Sequence, residues 1–147
     1  LLGLLMFLGL AYTAQGQKIS DNAIGLRFGG DNFLEASYQR AVGNKNRLEF
    51  DLGWNRKSSD VLSVYQLTGL YQWVWNIDGG FNWYAGFGAG AGGGNNIDNF
   101  IYAAGNVGIE YDFDIPLLIS LDYRPHVGLI NYEGRNGNLG LSLRYQF

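Results

Sequence analysis

The chain has 147 residues, one domain's worth, with no cysteine and a formal charge of −3 at pH 7. A disulfide framework and a thiolate metal site are therefore excluded, and the acidic balance speaks against a nucleic-acid binder, which carries a basic surface. Aromatic residues make up 16 % of the chain and prolines number only 2, so it is too rich in core-forming rings to stay disordered.

The opening segment LLGLLMFLGLAYTAQG is apolar for roughly a dozen residues and then turns small and polar, as a secretory h-region and its cleavage zone do. Ala14 and Gly16 are small residues two positions apart, which predicts cleavage between Gly16 and Gln17. Residues 1–16 are thus expected to be the remnant of a signal peptide that lacks its initiator Met and basic start. Residues 17–147 form the exported domain. The apolar run is too short to span a bilayer as a helix, and no other stretch approaches the necessary length of about 18 residues.

Beyond Gln17 the chain shows no helical period. Short alternating segments separated by turn-rich clusters predict eight strands. They cover Asn22–Gly29, Phe33–Val42, Arg47–Asn55, Val61–Asn76, Phe81–Ala91, Phe100–Phe113, Pro116–Arg124 and Asn138–Phe147. Between them lie GGDN, GNKN, RKSSD, IDGG, GGGNNIDN, DI and PHVGLINYEGRNG, built from the Gly, Asn, Asp and Pro that turns require. Such short connections suit an antiparallel meander with both termini at one rim. Three of the four connections at the opposite rim are expected to be longer loops. In strand four, Leu62, Val64, Leu70 and Val74 fall on the polar parity, which predicts a bulge or register change there.

The two parities have different chemistry. One carries Leu26, Leu48, Phe50, Leu52, Leu67, Val107, Ile109, Ile119, Leu121 and Leu141 between two belts of rings. The belt at the terminus-side rim comprises Trp73, Trp75, Phe81, Trp83, Tyr111, Phe113, Tyr145 and Phe147. The belt at the far rim comprises Phe28, Trp54, Tyr65 and Tyr123. A bilayer favours this arrangement because amphipathic rings settle at its interfaces. The other parity holds Arg27, Glu35, Glu49, Asp51, Gln66, Thr68, Gln72, Asn106, Glu110, Asp122, Arg124, Ser142 and Arg144, with Gly86, Gly88, Gly90 and Gly108 making space. Charges of both signs on one face predict an ion-paired interior. Arg27, Glu49, Asp51, Glu110, Asp122, Arg124 and Arg144 are its expected members. A barrel of eight strands is just wide enough for side chains to fill it, so a plugged lumen and not a pore is expected.

Several segments bear a superficial likeness to known chemical sites. GFGAGAGGG (Gly86–Gly94) lacks the Lys-Ser/Thr and the strand–helix context of a phosphate loop, and reads as small lumen residues leading into a flexible loop. Asn95, Asn96, Asp98 and Asn99 offer oxygen ligands without calcium-loop spacing or a bidentate acid. Glu49 with Asp51, or Glu110 with Asp112, resembles a glycosidase pair, but ion pairing on a packed wall is the plainer reading. His126 is the only histidine and is expected in the loop after Pro125, at the far end of strand seven. Triad chemistry would need it to meet Ser58 or Ser59 and Asp60 across loops. No catalytic, metal or cofactor residue is therefore assigned.

The terminal LGLSLRYQF alternates without a fault and ends on Phe147, which resembles the insertion signal read by the outer-membrane barrel-assembly machinery. The chain as a whole resembles the small eight-stranded outer-membrane barrels of the OmpA/OmpX type. GIEYDFDIPLLISLDYRP (Gly108–Pro125) followed by LSLRYQF is similar to the penultimate hairpin and closing strand of small barrels common in Bacteroidota. The resemblance implies fold and an outer-membrane location in a Gram-negative bacterium. It says little of activity, since such barrels serve as envelope structure, adhesion surfaces or lipid-modifying enzymes.

The fold class expected is all-β, an eight-stranded up-and-down transmembrane barrel with a filled polar lumen. The expected role is a non-enzymatic envelope component in contact with outer-membrane lipid, with Pro125–Gly137 as a loop displayed to an outside partner. Two alternatives remain open. One is an outer-leaflet lipid-modifying enzyme. The other is a secreted lipocalin-like binder, whose apolar parity would face inward around a ligand.

Overall fold

The computed structural model of the protein describes residues 19–30, 33–55, 64–94, 97–131 and 137–147. The expected signal segment, the expected Gly16–Gln17 cleavage point, Leu62 and the candidate triad members Ser58, Ser59 and Asp60 lie outside the described residues. Eight strands form: β1 (Asn22–Gly29), β2 (Phe33–Ala41), β3 (Asn46–Asn55), β4 (Val64–Asp78), β5 (Phe81–Gly94), β6 (Ile97–Asp112), β7 (Leu117–Ile130) and β8 (Gly137–Gln146). Each pairs antiparallel with the next, and β1 pairs with β8, so the sheet closes and no edge is left unpaired. Asn22 and Phe147 exchange backbone hydrogen bonds of 3.1 and 2.9 Å at the seam. They stand at the same rim as the β2–β3, β4–β5 and β6–β7 turns.

Alternation decides which way the wall faces. On β1, Ala23 and Arg27 are buried while Ile24, Leu26 and Phe28 are exposed. On β8, Ser142 and Arg144 are buried while Leu141, Leu143 and Tyr145 are exposed. The same inversion runs around the barrel, with polar side chains in the centre and aliphatic and aromatic ones outside. The lipocalin-like alternative, which needs the reverse, is overturned by this placement.

Most strand ends differ by a few residues from those the sequence predicts, and three larger departures have a local physical reason. First, β4 keeps an unbroken register against β3, and against β5 up to a shift between Asn76 and Asp78. Leu70 and Val74 therefore stay in the lumen, which tolerates apolar residues there, and the expected bulge in that stretch is absent. Second, the glycines of Gly86–Gly94 belong to β5 and not to a flexible loop. Only residues 95–96 separate it from β6, so this connection is not one of the longer loops. Glycine signals a turn in sequence, but here Gly90 and Gly92 give room to the rings of Tyr102 and Phe100, their partners on the neighbouring strand β6. Third, β7 runs through Pro125 to Ile130 and takes the first part of the expected loop Pro125–Gly137. Proline removes one ladder donor. The β6–β7 pairs step from Val107–Tyr123 to Ala104–His126 across it, and pairing resumes beyond. The strand ends where Asn131 adopts φ 51°, a left-handed conformation that asparagine tolerates better than most residues.

The wall is lopsided. β1 has 8 residues and β6 has 16. At about 3.3 Å per residue and a tilt near 40°, they rise roughly 20 and 40 Å. The tall side is β4 to β7.

Candidate functional site: a filled lumen inside an apolar wall

The lower lumen is one connected ion-pair network. From β1, Arg27 reaches Asp122 on β7 at 2.6 Å and Glu35 on β2 at 3.1 Å, and donates to the Asn138 side chain at 2.7 Å. From β7, Arg124 meets Glu35 at 3.1 Å and Asp51 at 2.5 Å, with Glu49 at 3.7 Å. From β8, Arg144 lies 3.3 Å from Glu49 and donates to Ser37 and Ser120, each at 2.9 Å. From β3, Arg47 pairs with Glu110 at 2.6 Å and donates to Gln72 at 2.6 Å. Gln72 links the two parts by donating to Glu49 at 3.1 Å. These arginines and acids are all buried. A charge taken from water is tolerated only when it is paired and hydrogen-bonded. The alternation of each strand meets that requirement by aiming its polar residues at one axis.

The upper lumen is closed differently. Leu70, Phe100, Tyr102 and Ala104 pack as an apolar cluster, with Val64 against them. The Tyr102 hydroxyl hydrogen-bonds Thr68. His126 is buried on the β7 wall with its ring centroid 4.7 Å from that of Tyr102. It is thus a lumen residue and not a loop histidine at the rim. A Cβ on Gly90 would overlap the Tyr102 ring, and one on Gly92 would come 2.6 Å from Phe100. Glycine on β5 lets these rings lie across the barrel. At the terminus-side rim, a void of about 30 Å³ remains among Arg47, Glu110, Lys45 and Asn82.

Arg27, Glu49, Asp51, Glu110, Asp122, Arg124 and Arg144 are all brought together in this network. The sequence reading missed Arg47, although it shares strand and parity with Glu49 and Asp51, a signal that would have found it. Ser37, Gln39, Ser120 and Tyr84 were missed too. Tyr84 is buried inside, with its hydroxyl donating to Asp122 at 3.4 Å, whereas the sequence pattern places rings at the rims. Asp112, at the end of β6, is only half-buried and is not a member of the ion pairs described above.

Outside, Trp73, Trp75, Trp83, Tyr111, Tyr145 and Phe147 stand toward the terminus-side rim. Trp75 stacks on Trp83 at 4.1 Å, and Tyr145 on Phe147 at 6.1 Å. Trp54 stands near the far end of β3. Tyr123 does not mark a strand end, because β7 continues past it, with Val127, Leu129 and Ile130 exposed above.

No family pattern and no curated protein matches the chain. Solved structures do. The N-terminal β-barrel domain of Pseudomonas aeruginosa OprF is similar with a TM-score of 0.71 at 17 % identity, covering 90 % of this chain and 100 % of that one. Ail, the attachment invasion locus protein of Yersinia pestis, is similar with a TM-score of 0.60 at 15 % identity, over 90 % and 100 %. A de novo designed transmembrane β-barrel reaches 0.59 at 16 % identity, again over 90 % and 100 %. The chain therefore has the fold of the small eight-stranded outer-membrane barrels, the OmpA/OmpX type. A designed protein shares that fold, so the fold by itself specifies no activity.

Proposed function

We propose that the protein is an integral outer-membrane component of a Gram-negative bacterium, exported by its signal peptide, with a closed lumen and no enzymatic role. The observation that carries this reading is the inversion of the wall. Ionic groups are sequestered in the centre, while a continuous surface including Leu26, Leu52, Leu67, Ile109, Leu121 and Leu141 is exposed. An apolar patch of that extent is unsupportable in water and natural in hydrocarbon. The closed lumen argues for a structural or display role over transport, with the β7–β8 connection at the tall side as the segment offered to an outside partner. His126 faces Tyr102 in the lumen, away from the lipid that an acyl-modifying enzyme must reach.

Fractionation tests the reading. The protein is expected in the outer-membrane fraction, released only by detergent, and with a gel mobility that changes on boiling. Recovery as a detergent-independent soluble protein would overturn it.

A further inference from the structure

The outer wall has one exception to its apolar character. Along the continuous register of the strands, before the shift beside Asp78, Arg40 is the only charged side chain on the outward parity among the described residues. It stands on β2 near the terminus-side rim, opposite Asn22 of β1. The Asn22 Oδ1 accepts from Arg40 at 3.3 Å and from the Tyr38 hydroxyl at 2.6 Å. Asn22 is neutral, so it orients the guanidinium without cancelling its charge. A cation on a lipid-facing wall is costly unless it reaches the interface or meets an anion there.

On the other side of β1, where it meets β8, the wall carries a groove of about 550 Å³ that begins at Ile24, two residues along from the Asn22 that Arg40 bonds. Ile24, Leu26 and Phe28 form one side, Leu143 and Tyr145 the other, and the turn at 115–117 its lower end. Gly25 lies in it, and a Cβ there would overlap the Leu143 carbonyl, so the close seam requires glycine. The volume falls within the roughly 300–1,000 Å³ of sites that take a small ligand. At about 3.3 Å per residue and a tilt near 40°, the groove runs about 15 Å along the axis, half of the ~30 Å hydrocarbon core.

We propose that this seam holds one phospholipid of the leaflet at the terminus-side rim, with an acyl chain in the groove and the phosphate on Arg40. The proposal rests on the membrane reading above. A groove one leaflet long fits a single chain, and a cation one strand away, held on Asn22 just rimward of Ile24, supplies the match for an anionic headgroup. A second copy of this chain would present an equally apolar wall and bring Arg40 no counter-charge.

Native mass spectrometry of the detergent-solubilised full chain, titrated with dipalmitoyl phosphatidylglycerol, tests this. The wild type is expected to retain one lipid under activation that strips all others. Arg40→Gln and Leu143→Trp, which remove the anchor and fill the groove, should each weaken that binding at least tenfold. Leu121→Trp, on the same parity of β7 away from the groove, should not. Equal binding by wild type and both variants, or a graded uptake of many lipids, would mean annular association only and overturn the proposal. Loss in Leu143→Trp but not in Arg40→Gln would overturn the headgroup assignment, and with it the phospholipid. Heat-modifiable insertion into phosphatidylcholine vesicles is measured for every variant. Failure of the wild type to insert would defeat the membrane reading itself, whereas insertion without retained lipid defeats this proposal alone.

Discussion

Neighbouring residues on β8 face opposite media, and this gives a direct test at the level of single side chains. Leu141 is outward and half-exposed, whereas Ser142 is fully buried with a hydroxyl that has no hydrogen-bond partner. Leu141→Arg is expected to cost about 2–4 kcal/mol in lipid vesicles, because a cation then faces hydrocarbon. Ser142→Ala should be mild, since no bond is lost. Urea unfolding of refolded protein measures both, and reversed severity would mean that the wall faces the other way. Arg124 is the busiest member of the network, contacting Glu35, Asp51 and Glu49. Arg124→Met leaves those carboxylates buried without their main cation. The expected loss is about 3–5 kcal/mol in the same unfolding assay.

Among the elements, β5 is the one whose composition is most misleading. Its inward glycines are needed because Tyr102 and Phe100 lie over them. Gly90→Val is expected to destabilise by about 1–3 kcal/mol through overpacking. Tyr102→Ala in the same molecule should recover part of that loss, because the two sites compete for one volume. Additive losses in the double variant would show that β5 needs glycine for its backbone alone. The β7 strand makes a related point. Proline at 125 interrupts pairing with β6 without ending the strand, since the closed ladder on the β8 side continues through Pro125–Gly137.

For the whole molecule, an ionic tier below and an aromatic tier above occupy the described lumen. Planar-bilayer recording of the purified protein should therefore show no steady, large ohmic step. A reproducible conductance comparable to that of a trimeric porin would contradict the filled lumen. The lumen position of His126 supplies a second measurement. Lipid A and phospholipid acyl profiles are expected to be identical in cells carrying wild type, His126→Ala and an empty vector. If only the wild type altered acyl chains, the histidine would have to act as a base on lipid, and the non-enzymatic reading would fall.

The barrel class, the strand number and the direction each strand faces were legible in the sequence, because a period of two places alternate residues in two media whatever the rest of the chain does. LGLSLRYQF and the charges of Arg27, Glu49, Asp51 and Asp122 carried that information locally. What only the tertiary structure decided is which side chains meet across the lumen and how far each strand runs. Arg47 with Glu110, Arg27 with Asp122, and Arg124 with Glu35 are partners from strands distant in sequence. Their pairing depends on shear and closure, which no single segment encodes. The extensions of β5 and β7 follow from the same cause. Glycine and proline weaken a strand in isolation, but a closed ladder supplies hydrogen bonds from both sides, and a ring on the neighbouring strand makes glycine the residue that fits.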